Sequence, residues 1–110
     1  MALEEANKVD GIGIENDTGF VVLTIADAWD WQDEQKHLKA LQSKLNAYVN
    51  FVESGQIWEA YPNSVGRQVV IDIVTRFPLP KAGADFLERV ASICADFKVK
   101  VRTRHHAGAT

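Results

Sequence analysis

The sequence predicts an α+β fold, a two-layer α/β sandwich in which an antiparallel sheet carries two helices on one face. Two segments repeat apolar residues at helical spacing, five concentrate or alternate β-branched and aromatic residues, and turn-forming Asn, Asp, Gly and Pro separate them. A chain of 110 residues is the size of one domain and buries well over half of the surface its unfolded form exposes.

The elements follow in order. Val9-Asp10-Gly11-Ile12-Gly13-Ile14-Glu15 alternates apolar with small or polar residues, and Asn16-Asp17-Thr18-Gly19 supplies a turn before Phe20-Val21-Val22-Leu23-Thr24-Ile25. That pattern predicts a β-hairpin. Asp27 or Asp30 then serves as N-cap of a long helix whose inward stripe runs from Trp31 through Leu38, Leu41, Leu45, Tyr48, Val49 and Val52, with Ser54-Gly55 ending it. Ile57-Trp58-Glu59-Ala60-Tyr61 and Gln68 to Phe77 read as a second hairpin around Pro62 to Arg67. Pro78 and Pro80 forbid a continuing central strand, and Pro80 opens a second helix whose inward face is Phe86, Leu87, Val90, Ile93, Cys94 and Phe97. Gly83 weakens that start. Lys98 to Thr103 alternates as a last strand with Val99 and Val101 inward. The order is ββαββαβ, a ferredoxin-like split βαβ with an extra N-terminal strand. Residues 1–104 form a single domain and 105–110 a flexible tail.

Composition narrows the function. No stretch approaches the roughly 18 apolar residues of a membrane span, and the acidic N-terminus lacks the basic and apolar segments of a secretory signal. A cytoplasmic location and no membrane partner follow. The net charge of -3 conceals two poles: residues 1–60 hold 11 acidic against 4 basic residues, and residues 61–110 hold 4 against 8. Lys98, Lys100, Arg102 and Arg104 form an alternating basic row without interleaved aromatics, which reads as a protected strand face and not as a nucleic-acid surface. Cys94, the only cysteine, lies in an apolar stripe, where a buried inert thiol is expected.

No motif brings a reaction with it. Gly11-Ile12-Gly13 lies inside a hairpin and lacks both the third glycine and the following helix of a dinucleotide fingerprint. Glu34 and His37 have the Glu-x-x-His spacing of carboxylate-bridged metal sites, but such sites need it twice, in a four-helix core. Phosphate loop, nucleophile elbow and paired Cys-x-x-Cys are all missing. No catalytic residue, metal ligand or cofactor is assigned.

What the sequence does concentrate is a mixture of acidic and aromatic residues. Trp29, Asp30, Asp33, Glu34 and His37 fall within nine residues, and Trp58 and Tyr61 bracket the expected third strand. Trp29 and Trp31 point about 200° apart on a helix, so only Trp31 continues the inward stripe. Aromatics outside a core beside carboxylates suit a protein interface. These seven residues are the partner-binding candidates, and the expected partner is another protein with a basic surface. Small acidic proteins of this build include toxin-neutralising immunity proteins. Two alternatives stand beside that reading: a small enzyme or ligand-binding domain using Asp30, Asp33, Glu34 and His37, and a structural homodimer across the open sheet face or an edge strand.

Glu4 to Ile14, Leu23-Thr24-Ile25, Asp30 to Gln35, Tyr48 with Phe51 to Gly55, Tyr61-Pro62 and Gly66-Arg67 together resemble a family of small, uncharacterised bacterial proteins catalogued as a domain of unknown function. The resemblance runs from Glu4 to about Phe97. It implies a bacterial, single-domain, cytoplasmic protein and carries no activity.

Overall fold

A computed structural model describes Leu3, Glu5 and residues 8–106. The strands are β1 Gly11–Ile14, β2 Val21–Asp27, β3 Val69–Thr75 and β4 Val99–His105; the helices are α1 Glu34–Glu53, α2 Gln56–Ala60 and α3 Lys81–Asp96. A 3-10 turn spans Pro62–Ser64. β1 pairs antiparallel with β2, as a hairpin should, but β2, β3 and β4 are all parallel, and the sheet order is simply β1-β2-β3-β4.

This corrects the expected ββαββαβ order, its antiparallel sheet and its split βαβ plan. The strand expected over Ile57 to Tyr61 is helical. Gly55 takes the left-handed conformation (φ 82°) between α1 and α2, and the chain resumes a helix at once. In α2 only Ile57 is buried, with Trp58, Glu59 and Ala60 exposed, so no alternating face exists for a sheet to cover. Without that strand, α1 links β2 directly to β3, and a helical crossover makes the two strands parallel. A sequence signal for this was present: Val69-Val70-Ile71-Asp72-Ile73-Val74 is a near-continuous apolar run, and every residue of β3 is buried, as in strands covered on both sides.

Crossovers between parallel strands are right-handed, and two in succession along one direction place α1 and α3 on the same face. Val21, Leu23 and Ile25 of β2, Val69, Ile71 and Ile73 of β3 and Val99 of β4 point to that face and meet Leu41, Leu45, Tyr48, Leu87 and Cys94. Of the six residues expected on the inward face of α3, only Leu87 and Cys94 are buried; Ile93 is 59% and Phe97 44% exposed. β4 runs through His105, whose Nε2 pairs with the Arg76 carbonyl oxygen, and the His106 N–H donates to the Thr75 carbonyl. Residues 105 and 106 of the expected tail are therefore tied to the sheet, and the rest of it, residues 107–110, lies outside the described part of the chain.

Two polar devices hold the sheet. At its β1 side Lys44, fully buried on α1, donates to Asp10 Oδ1 at 2.8 Å and to the Glu5 carbonyl at 3.1 Å. Tyr48, one turn on, donates to the Thr24 carbonyl and accepts from the Asp10 N–H, while Asp10 Oδ2 accepts from Ala26 N–H. Burial pushes the Tyr48 phenol well above its ordinary value, so it stays a donor. On the face away from the helices, the basic row of β4 reaches across β3. Lys100 lies 5.0 Å from the Phe20 ring centre, Arg102 meets Glu15 at 2.7 Å and Asp72 at 3.5 Å, and Arg104 meets Asp72 at 3.1 Å. Lys98 is not part of this roof: it turns the chain from α3 into β4 with φ 61°.

Candidate functional site

Asp27 closes β2 at the carboxyl end of the parallel strands, and the chain from Ala28 to Asp33 carries it into α1. Three aspartates shape this passage by accepting from nearby backbone N–H groups: Asp27 from Trp29, Asp30 from Gln32 and Asp33 from Lys36. The third is the N-cap of α1, which begins at Glu34, so the cap expected at Asp27 or Asp30 lies further along and Trp31 precedes the helix. Glu34, in the first turn, adds a carboxylate where the helix dipole is positive.

His37 is the centre of this region. It is 1% exposed, in register with Leu41, Lys44, Leu45 and Tyr48 on the inward stripe of α1. Its Nδ1–H donates to the Asp30 carbonyl at 2.8 Å, and Nε2 is 2.5 Å from Oδ2 of Asp27, itself 1% exposed. Trp31 stacks on the imidazole (ring centres 3.6 Å, planes 13° apart), and Trp29 meets it edge-on at 5.7 Å. Gly83 now has a reason: the Trp31 ring occupies its side-chain space, and a Cβ there would lie 3.0 Å from Trp31 Cη2. Trp31 thus bridges the first turns of α1 and α3.

Chemically, this arrangement is closed. Both imidazole nitrogens face oxygens of the protein, Trp31 covers one ring face, Trp29 meets the ring edge-on, and the 1% exposure of His37 leaves no path to a substrate proton. What faces outward is a ring of side chains: exposed Asp30, Asp33, Glu34 and Lys36 around a half-buried Trp29, with Lys36 Nζ 5.8 Å from the Trp29 ring centre. Trp29, Asp30, Asp33 and Lys36, but not Glu34, line an open depression of about 500 Å³. Among the described residues no group of three His, Cys, Asp or Glu is placed to hold a metal ion.

The structure brings together Trp29, Asp30, Asp33, Glu34 and His37, with His37 inside and the others at or near the surface. It does not bring Trp58 and Tyr61 to them. Those lie beyond the other end of α1, whose 20 residues span about 30 Å. Sequence reading takes Asp27 only as a possible helix cap and passes over Lys44. Lys44 was detectable as a polar residue seven positions after His37 on the stripe that holds Leu41 and Tyr48. A larger concavity, about 660 Å³, runs between α1 and α3 and is floored by Leu45, Val49, Val90 and Cys94. Burial raises the Cys94 thiol above its ordinary value, in keeping with an unreactive side chain.

No helix is long and apolar enough to cross a membrane among the described residues. No curated protein and no solved structure matches the chain. A family of unknown function, DUF6572, matches residues 1–107 of the 110, and the chain belongs to that family.

Proposed function

We propose that the protein is a non-enzymatic binding module of the bacterial cytoplasm that engages another protein through Asp30, Asp33, Glu34 and Trp29. The observation that carries this reading is the enclosure of His37. The one side chain of the cluster suited to proton transfer is spent inside, where it fixes the loop and first helical turn that present three exposed carboxylates beside a half-buried indole. A surface fixed in advance loses little entropy on binding, and carboxylates beside an aromatic anchor suit a partner with a basic patch. A toxin neutralised by such an acidic face is one partner of this chemistry. Open shape favours a macromolecule over a small molecule, because the depression at Trp29 lacks the enclosure that buries most of a small ligand.

The test uses a triple variant, Asp30→Asn, Asp33→Asn and Glu34→Gln, which removes three charges while retaining the side-chain acceptors that shape the loop. Proteins captured from the native host by the wild type and not by the variant are purified and titrated against both. A weakening of about tenfold or more that fades at high salt supports the reading. Equal capture by both proteins contradicts it.

A further inference from the structure

We infer that the outer edge of β4 is a docking site for an extended acidic segment of another protein, which joins the sheet as a fifth strand. β4 is the last strand of the sheet, and its seven residues pair with β3 in unbroken register, from Val99 opposite Val69 to His105 opposite Thr75. The His106 N–H donates to the Thr75 carbonyl. By the alternation of a strand, Lys100, Arg102 and Arg104 therefore turn their backbone groups to β3, while Val101 and Thr103 turn theirs outward, where no strand follows. Edges of this length are usually blunted by a proline, a bulge or charged side chains. β4 has neither proline nor bulge, and its basic row leans over the sheet toward Phe20, Glu15 and Asp72. The backbone of the edge is left open to an added strand.

A groove of about 510 Å³ follows this edge, with Ala91 and Ala95 of α3 on one side and Val99 and Val101 of β4 on the other. The two alanines leave room for apolar side chains of an added strand. Lys98 and Lys100 also line the groove, and no acidic residue does. On the face away from α3, three cations, Lys100, Arg102 and Arg104, meet two carboxylates, Glu15 and Asp72. An incoming strand thus finds apolar space on one face and excess positive charge on the other, which suits a segment that alternates apolar and acidic residues. The same charges exclude a second copy. Outward backbone groups belong to the odd positions of β4, so two antiparallel β4 strands set odd against odd and even against even. With full overlap Arg102 opposes its own copy and Lys100 opposes Arg104, and a slip by two residues still sets cation against cation. The site shares no residue with Trp29, Asp30, Asp33 and Glu34, so the inference stands independently of the proposed function.

The probe is a capped peptide as long as β4 that alternates glutamate and valine, labelled for fluorescence anisotropy and titrated with the full chain. It should bind saturably, and a counterpart alternating lysine and valine should not. N-methylation of every second amide should weaken binding at least about tenfold in one phase and about twofold or less in the other, because an added strand turns only alternate N–H groups toward β4. Thr103→Pro deletes an outward N–H that β3 does not use, and should weaken binding at least about tenfold, with circular dichroism checking the fold. Ala95→Glu, at an exposed position, puts a carboxylate into the groove without touching the strand and should weaken binding about fivefold, which keeps the test decisive if the proline variant unfolds. Absence of saturable binding, equal effects of the two N-methylation phases, or binding unchanged in the folded variants would overturn the inference. So would self-association of the wild type that Thr103→Pro abolishes, or binding of an oligouridylate in place of the acidic peptide.

Discussion

Replacing His37 by alanine should cost about 4 kcal/mol, far more than a surface residue near a helix start. The figure follows from what the side chain touches. Its loss removes the bonds to Asp27 and to the Asp30 carbonyl and leaves the Asp27 carboxylate, fully shielded from solvent, without its strongest partner. Stranding a buried charge of this kind costs about 3 kcal/mol. The space vacated beneath Trp31 adds about 1 kcal/mol, since the indole can settle only partly toward the gap. For a chain of this length 4 kcal/mol lowers the melting temperature by about 15 °C. Urea unfolding followed by tryptophan fluorescence measures it, with His37→Gln falling between because it keeps a donor. A double-mutant cycle with Asp27→Asn should return a coupling of about 2 kcal/mol. A loss below about 1 kcal/mol with no coupling would show that the buried pair does not organise the loop.

Further outcomes follow from other contacts. Gly83→Ala, which in an ordinary helix gains about 1 kcal/mol, should instead lose about 1 kcal/mol because its Cβ meets the Trp31 ring; stabilisation in thermal melts would contradict that packing. Lys44→Met keeps length and removes charge, and should lose about 3 kcal/mol by leaving Asp10 without its ion-pair partner, part of it regained when Asp10→Asn is added. Arg102 holds the Glu15 carboxyl below its ordinary value of 4.5, so that pair supports the fold fully above this value and fails as pH falls through the lower folded value. The stability gap between wild type and Glu15→Gln should therefore shrink on acidification from about pH 6 to about pH 3. Cys94, buried with a raised thiol, should resist an aqueous thiol reagent in the native protein and react fully in urea; rapid native labelling would refute its burial.

How much of this the sequence disclosed depended on periodicity. Leu41, Leu45 and Tyr48 at helical spacing marked α1, and the turn at Asn16 to Gly19 marked the hairpin, because each pattern answers to local geometry alone. Ile57 to Tyr61 misled because aromatic and β-branched composition is only a weak preference, which the left-handed Gly55 and a single buried anchor overrode. Strand direction is a non-local property, visible only in the unbroken apolar run of β3. The cap could not be chosen from sequence, since Asp27, Asp30 and Asp33 each accept from a nearby backbone N–H and only the last also begins a helix. At the site, the acidic residues were legible but the sense of His37 was not. Its partner Asp27 lies ten residues away on a strand, and only tertiary packing puts the two together.

The most direct measurement is the affinity of the purified partner for the wild type against the variant carrying Asp30→Asn, Asp33→Asn and Glu34→Gln. The account predicts weakening of about tenfold or more at low salt and a smaller difference at high salt, with the fold and the His37 environment unchanged. Equal affinities for the two proteins, at either salt concentration, would contradict it.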